Sequence, residues 1–401
     1  MKHLNQQIIK NNNLKQLYNL IYQEPGISRA KLAKASGLSK PTVSALIDEL
    51  VKKRFVQDTG AMTHITSVGR KPNGLHLLEN EHYVVAICLS RNMVAAKLMD
   101  VCGCAVEEID CLLSKGDTYV SASRKLFERF KEEAKEEKIL GVCIIVPAMI
   151  DLERKEIFST MLNPALYGKK GLLKELQDAF SDVATAVFND TACAAYAEKV
   201  YAKVLQPDFA FINFQHGIGA ALFVNNHLIG NATASYTQFG HYSVDPDGVP
   251  CFCGNRGCLE LVISEDSLKD RLEKVQEASA LREKQKITYS ELSYAALHGD
   301  AGAQHVIRDM ALDFSRALCN LTCIVRPKLV VIGGKGKELG PLFLEEVRHN
   351  MKTMGFRYML DSLKLRYSFL DMTAYFSGGM KLYFDTYYDF TQNPEGAFFV
   401  G

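Results

Sequence analysis

G-H-Y-S-V-D-P-D-G-V-P-C-F-C-G-N-R-G-C-L-E, residues 240–260, places one imidazole and three thiols within eighteen residues of turn-forming sequence. Zn²⁺ prefers a closed tetrahedral set of nitrogen and sulfur ligands. His241, Cys251, Cys253 and Cys258 supply a Cys₃His set that leaves no position for water. Cys251 and Cys253 are close enough to grip one ion from a single turn, and Asn255, Arg256 and Gly257 bring the chain back to present Cys258. The competing reading is four buried side chains without a metal, since free cysteine behaves as a small hydrophobe. Spacing, glycines and the nearby histidine together favour the metal. A closed site is structural, so zinc alone does not say what the protein does.

The rest of the chain is uneven in charge. Residues 1–80 carry 12 Lys+Arg against 5 Asp+Glu, and the remaining residues carry 35 against 41, within a formal total of +1. A basic segment on an acidic body predicts a polyanion-binding module attached to something else. With 401 residues there is room for two or three domains, each with its own core. Eleven cysteines and no secretory signal read as reduced thiols in a cytoplasmic protein. The longest apolar stretch, Ile139 to Ile150, is interrupted by Gly141 and Pro147 and is too short for a membrane span. Cys102-Gly103-Cys104 has no histidine nearby and reads as strand packing. Cys319 and Cys323 read as neighbours on one buried helix face.

Three helices are expected before residue 55. The first, about 5–22, aligns Leu14, Leu17, Tyr18 and Ile21 on one face and ends at Pro25-Gly26. Ser28 caps a second, R-A-K-L-A-K-A-S, which stops at Gly37. Ser39 caps a third with Pro41 in its first turn, burying Val43, Leu46, Ile47 and Leu50. Two short helices about a glycine turn describe a helix-turn-helix. Ser39, Lys40, Pro41, Thr42, Ser44 and Ala45 then face the major groove, and Lys40 with Lys52–Arg54 reach phosphates. The alternating segment that follows suits a β-hairpin wing, with Arg70 and Lys71 in or beside the minor groove. A small dimerisation domain with a solvated charged face is the blander alternative.

From about residue 82 strands and helices alternate, as in an α/β body. G-V-C-I-I-V-P-A-M-I-D at 141–151, Leu162-Asn163-Pro164, Asn189-Asp190, G-I-G-A at 217–220 and the run from Gly240 into the cysteines appear in that order. Together they resemble the ROK family of repressors and sugar kinases, over essentially the whole chain. The resemblance implies a winged helix-turn-helix at 1–78 and a two-lobed, actin-like (RNase H-like) sugar-kinase fold at 79–401. Its lobes would fall near 79–190 plus the C-terminal helix, and 191–370. It further implies that His241 and the three cysteines bind structural Zn²⁺. Asn163, Asn189, Asp190, His241 and Glu260 match sugar-contacting positions, Asp190 being the general base of kinase members. Gln238 stands where the family usually has glutamate and is counted with the sugar-contacting residues, the lost charge bearing on which sugar is bound. Asn189 and Asp190 would serve as helix caps in either case.

Kinase activity is not expected. The family's D-x-G-G-T phosphate loop is here Leu89-Ser90-Arg91-Asn92-Met93, without aspartate or glycine. Its second loop keeps Gly217 and Gly219 but begins Gln215-His216. Phosphoryl transfer needs backbone amides to cradle phosphates, and the first cradle is gone. The expected protein is a sugar-responsive, homodimeric or tetrameric regulator of carbohydrate genes, more simply a repressor. A sugar or sugar phosphate bound between the lobes would alter operator affinity. A DNA-binding hexose or N-acetylhexosamine kinase, and a regulator controlled by a protein of a sugar-transport system, are the alternatives.

Overall fold

A computed structural model describes residues 2–59, 74–134, 138–215, 217–234, 237–392 and 396–401, with side chains from residue 6 onward. The chain forms two compact units. The first comprises Met1–Ile144, Asn163–Val187 and Gly379–Phe399, and the second Ile145–Leu162, Phe188–Gly378 and Val400–Gly401.

The first unit begins with α1 (Lys2–Gln23), α2 (Arg29–Ser36) and α3 (Lys40–Lys52). Leu14, Leu17, Tyr18 and Ile21 of α1 are completely buried, as their helical spacing predicts. Gly37 takes a left-handed φ of 72° and ends α2, a conformation with little cost for glycine. Strands β1 (Val56–Thr59) and β2 (Gly74–Leu77) pair antiparallel as the base of the wing. Arg70 and Lys71 lie outside the described residues.

This head is packed into the unit that carries it. Tyr18 donates to the Val101 carbonyl at 3.1 Å. The rings of Phe55 and Tyr18 join Phe384, Tyr388 and Phe390 in one aromatic cluster. Lys381, only 1% exposed, donates to Asn19 at 2.7 Å, pairs with Asp385, and lies 5.6 Å from the Tyr18 ring centre.

Strands β3 (Tyr83–Ser90), β4 (Met93–Asp100) and β5 (Ala105–Leu112) form an antiparallel meander, followed by α4 (Tyr119–Ala134) and β6 (Ile139–Val146). The six-stranded sheet runs Phe398–Val400, Thr185–Asn189, β6, β3, β4, β5. Central β3 is an apolar run buried almost throughout, whereas edge strand β5 alternates and exposes acidic side chains. Cys102 and Cys104 sit in the turn between β4 and β5, not in a strand. Asp100 accepts from the Cys102 amide at 2.6 Å and Gly103 adopts φ 102°, so the pair shapes a turn.

The second unit has a five-stranded sheet ordered His227–Leu228, Ile218–Val224, Phe209–Phe214, Leu329–Gly334, Lys364–Tyr367. Alternation along the central strand separates its two faces. Ala210, Ile212 and Phe214 join the core under the long helix Ala301–Val325, while Phe209 and Phe211 pack with Ala195 of helix Asp190–Val200. A sheet covered on both faces has the apolar strands seen here. Cys319 is buried but Cys323 is exposed, contrary to the shared-face expectation. Four residues advance a helix by more than a turn, and Cys319 already marks the edge of the buried stripe.

Candidate functional site

The recognition end of α3 is built by its cap. Ser39 accepts from the Thr42 amide at 3.3 Å, which satisfies one orphan donor of the first turn. Ser39, Lys40, Pro41, Thr42 and Ala45 are exposed, and Val43, Leu46, Ile47 and Leu50 are buried beneath them. Ser44 is half-buried, and its hydroxyl accepts from Arg29 Nη1 at 2.9 Å. Arg29 also pairs with Asp48 at 2.7 Å and Asp58 at 3.0 Å, tying α2, α3 and β1 together. Two of the expected phosphate-reaching cations are committed elsewhere. Lys53 donates to the Phe390 carbonyl at 2.7 Å, and Arg54 grips both oxygens of Glu81 at 2.7 and 2.9 Å. Lys40 and Lys52 carry no ion pair among the described residues and remain exposed.

In the second unit the ligand atoms of His241, Cys251, Cys253 and Cys258 all lie within 4.8 Å of one another. His241 Nδ1 is 3.7 Å from Cys251 Sγ, and Cys253 Sγ is 3.6 Å from Cys258 Sγ. A tetrahedron with Zn–S near 2.3 Å and Zn–N near 2.0 Å has edges of roughly 3.5–3.8 Å, so the spacing fits a metal. The knuckle is set by backbone bonds: the Cys251 amide to Asn255 O at 2.8 Å and the Gly254 amide to Cys251 O at 3.0 Å. Gly257 has φ +55°, and a Cβ there would lie 1.8 Å from Asp245 O. Only glycine can make this return toward Cys258.

Asn189 and Asp190 open the helix Asp190–Val200 in the same unit. Asn189 is 6% exposed, and its side chain is spent inside the protein. Oδ1 caps the Ala192 amide at 3.0 Å, while Nδ2 donates to Ala148 O at 2.9 Å and to Asp190 Oδ1 at 3.1 Å. Asp190 Oδ1 also accepts from the Thr191 amide at 2.7 Å. Desolvation outweighs these hydrogen bonds and pushes the Asp190 carboxyl up to about 6.

Glu260, in the first turn of helix Leu259–Ile263, accepts from the Ile218 amide at 3.1 Å. Exposed Gln238 donates to the Ala234 carbonyl at 2.8 Å. A glutamate could not make that bond, because an ionised carboxylate only accepts. Asn163 belongs to the first unit, where its Oδ1 caps the Ala165 amide at 3.1 Å.

Two residues not singled out from the sequence complete the Asp190 setting. The Thr191 hydroxyl accepts from buried Asn213 Nδ2 at 3.1 Å. Asn213 interrupts the apolar strand F-A-F-I-N-F, and a lone amide in a buried run was the available signal.

Residues 116–372 match the family model described as the ROK family, and residues 10–57 match a winged helix-turn-helix DNA-binding model. The chain is 26% identical over 389 residues to the xylose repressor of Bacillus subtilis (strain 168), covering 96% of this chain and 98% of that protein. It is 26% identical over 340 residues to the DNA-binding transcriptional repressor Mlc of Escherichia coli (strain K12), covering 82% of each. A solved ROK family transcriptional regulator, a homologue of E. coli Mlc, superposes with a TM-score of 0.78 at 23% identity, covering 94% and 96% of the two chains.

Proposed function

The chain belongs to the ROK family, and on that premise we propose that it is a sugar-responsive transcriptional regulator that represses carbohydrate uptake and catabolism genes. The observation that carries this reading is one chain holding two separate surfaces. Capped α3 presents Ser39, Lys40, Pro41, Thr42 and Ala45 to solvent. The second unit holds Asp190 with a carboxyl that keeps its proton up to about pH 6. The first surface suits a major groove, and the second suits a polyol, which needs convergent donors and acceptors. Asp190, His241 and Glu260 are assigned to the sugar, and Asn189 to orienting Asp190. Gln238 is placed at the rim as a loop brace. Asn163 is assigned to the sugar on the family pattern.

A non-catalytic body is supported by both phosphate loops. Ser90 pairs with Met93 across a turn of two residues, Arg91 and Asn92, which leaves no glycine cradle. Gly217 and Gly219 each have a packing neighbour that favours a small residue. A Cβ would lie 2.3 Å from Glu260 Oε2 at the first and 2.5 Å from Thr191 Oγ1 at the second.

Structural Zn²⁺ on His241, Cys251, Cys253 and Cys258 holds the segment from Gln238 to Glu260 in place. Two copies would read half-sites about one DNA turn apart, ~34 Å. An apolar concavity of about 630 Å³, lined among others by Leu222, Tyr242, Leu321, Ile324 and Val325, supports self-association through the second unit. Ile324 there is 82% exposed.

An effector works only if the DNA-competent and DNA-incompetent conformations bind it with different affinity. Fluorescence anisotropy on a near-palindromic operator, titrated with a panel of pentoses, hexoses and their phosphates, tests the reading. One sugar should weaken operator binding in wild type and not in Asp190→Asn. A panel that leaves operator affinity and melting temperature unchanged would overturn it. A coupled ATP assay reading zero turnover with the responding sugar completes the case against a kinase.

A further inference from the structure

We propose a second small-molecule site in the second unit, for a phosphate monoester, at Lys203, Lys364 and Arg366. These residues line a concavity of about 360 Å³ between the loop after helix Asp190–Val200 and the sheet-edge strand Lys364–Tyr367. That volume suits a monosaccharide-sized ligand. No carboxylate is among its lining residues.

The guanidinium is preset. Arg366 Nη2 donates to Glu198 Oε2 at 2.9 Å, Nη1 donates to the Tyr367 carbonyl at 2.9 Å, and the group lies 4.6 Å from the Phe369 ring centre. Glu198 is fully buried and offsets the Arg366 charge. Two charges therefore remain in excess, the ammonium groups of Lys203 and Lys364. Both residues are exposed, and neither pairs with a carboxylate among the described residues. Lys203 also holds a left-handed φ of 51°, an unfavourable conformation for a lysine and one that tends to persist where a site needs it.

A phosphate monoester carries about −1.5 to −2 at neutral pH and three acceptor oxygens, which matches two ammonium groups beside a fixed guanidinium. Val204, Leu329, Leu365 and the 80% exposed Phe369 give its organic part an apolar wall. The nearby helix C-terminus disfavours an anion, but by less than two charge-assisted contacts supply.

This site is not the Asp190 site. Lys203 follows the C-terminal end of the helix that Asp190 begins, and a helix of eleven residues spans about 16 Å.

Calorimetry on zinc-loaded full-length protein, with inorganic phosphate, a hexose 6-phosphate and the unphosphorylated hexose, tests the assignment. Both phosphates should bind saturably. Lys203→Gln/Lys364→Gln should weaken them about tenfold or more, as loss of charge-assisted contacts predicts. Tighter binding of the hexose phosphate identifies the organic ester as occupant, and equal binding identifies free phosphate. Asp190→Asn should leave inorganic phosphate binding unchanged. The assignment is overturned by absent saturation, by unchanged affinity in a double variant that melts like wild type, or by equal loss of inorganic phosphate binding in Asp190→Asn.

Discussion

Asp190→Asn should make the protein more stable and less responsive, with a pH dependence that identifies the cause. The Asp190 carboxyl rises from 3.8 to about 6 in the folded state. The fold therefore prefers the protonated form. Wild-type stability from this group is greatest below the unfolded value and falls as pH rises from about 4 to about 6. Above that the penalty is constant, because both states are then ionised. At about 1.4 kcal/mol per unit, the plateau is roughly 3 kcal/mol. It is an upper bound, because part of the Asp190 surface stays exposed although its carboxyl is closely surrounded. Asparagine keeps an Oδ1 to accept from the Thr191 amide and Asn189, so little else changes. Linkage places the variant's advantage at about 3 kcal/mol at pH 8 and at roughly half of that at pH 5. Urea unfolding of both proteins across that range, with zinc present, measures the difference directly. Glu291 and other carboxylates held low by their partners titrate alike in both proteins and cancel. An advantage that is absent at pH 8, or does not change with pH, would refute the reasoning. The same variant should lose the effector response, since a stabilising substitution at a binding residue commonly costs function.

Lys40→Ala should weaken operator and non-specific DNA alike and reduce the salt slope by about one, because an ammonium at a phosphate releases one counterion. Anisotropy at several salt concentrations reads both effects. Lys381→Met removes the buried cation facing Asp385 and should destabilise the first unit by about 3 kcal/mol. Adding Asp385→Leu should recover much of that loss in thermal melts. Chelating the metal should abolish the effector response at temperatures where α1–α3 still bind DNA, because the knuckle's support is confined to the second unit. A full sugar response in metal-free protein would separate the knuckle from sensing.

The sequence disclosed whatever is governed by local chemistry. The caps Ser28 and Ser39 and the stop at Gly37 appear where their side chains and φ preferences demand. The runs beginning at Tyr83, Met93 and Ala105 became a meander because short turns can only return the chain antiparallel. The His/Cys cluster was legible because its four candidate ligands, one histidine and three cysteines, lie within one short segment. What it hid is long-range. That Lys53 would serve the Phe390 carbonyl, more than three hundred residues away, leaves no local trace. Nor does periodicity foretell that Ser44 is claimed by Arg29, or that Cys323 falls outside the buried stripe.

The G-I-G stretch at 217–219 shows how glycines can serve local packing as well as any phosphate-loop role. A side chain at Gly217 would push aside Glu260 Oε2, which accepts from the Ile218 amide, and Gly219 must stay small because Thr191 packs directly against it. Thr191 is also the residue whose amide holds Asp190 and whose hydroxyl takes the Asn213 amide. Any side chain at Gly219 would displace Thr191 and disturb Asp190 with no nucleotide involved. Gly219 is thus required by the packing that positions Asp190. A glycine-rich stretch can therefore be kept by packing alone, because its backbone lies against Thr191 and so behind Asp190.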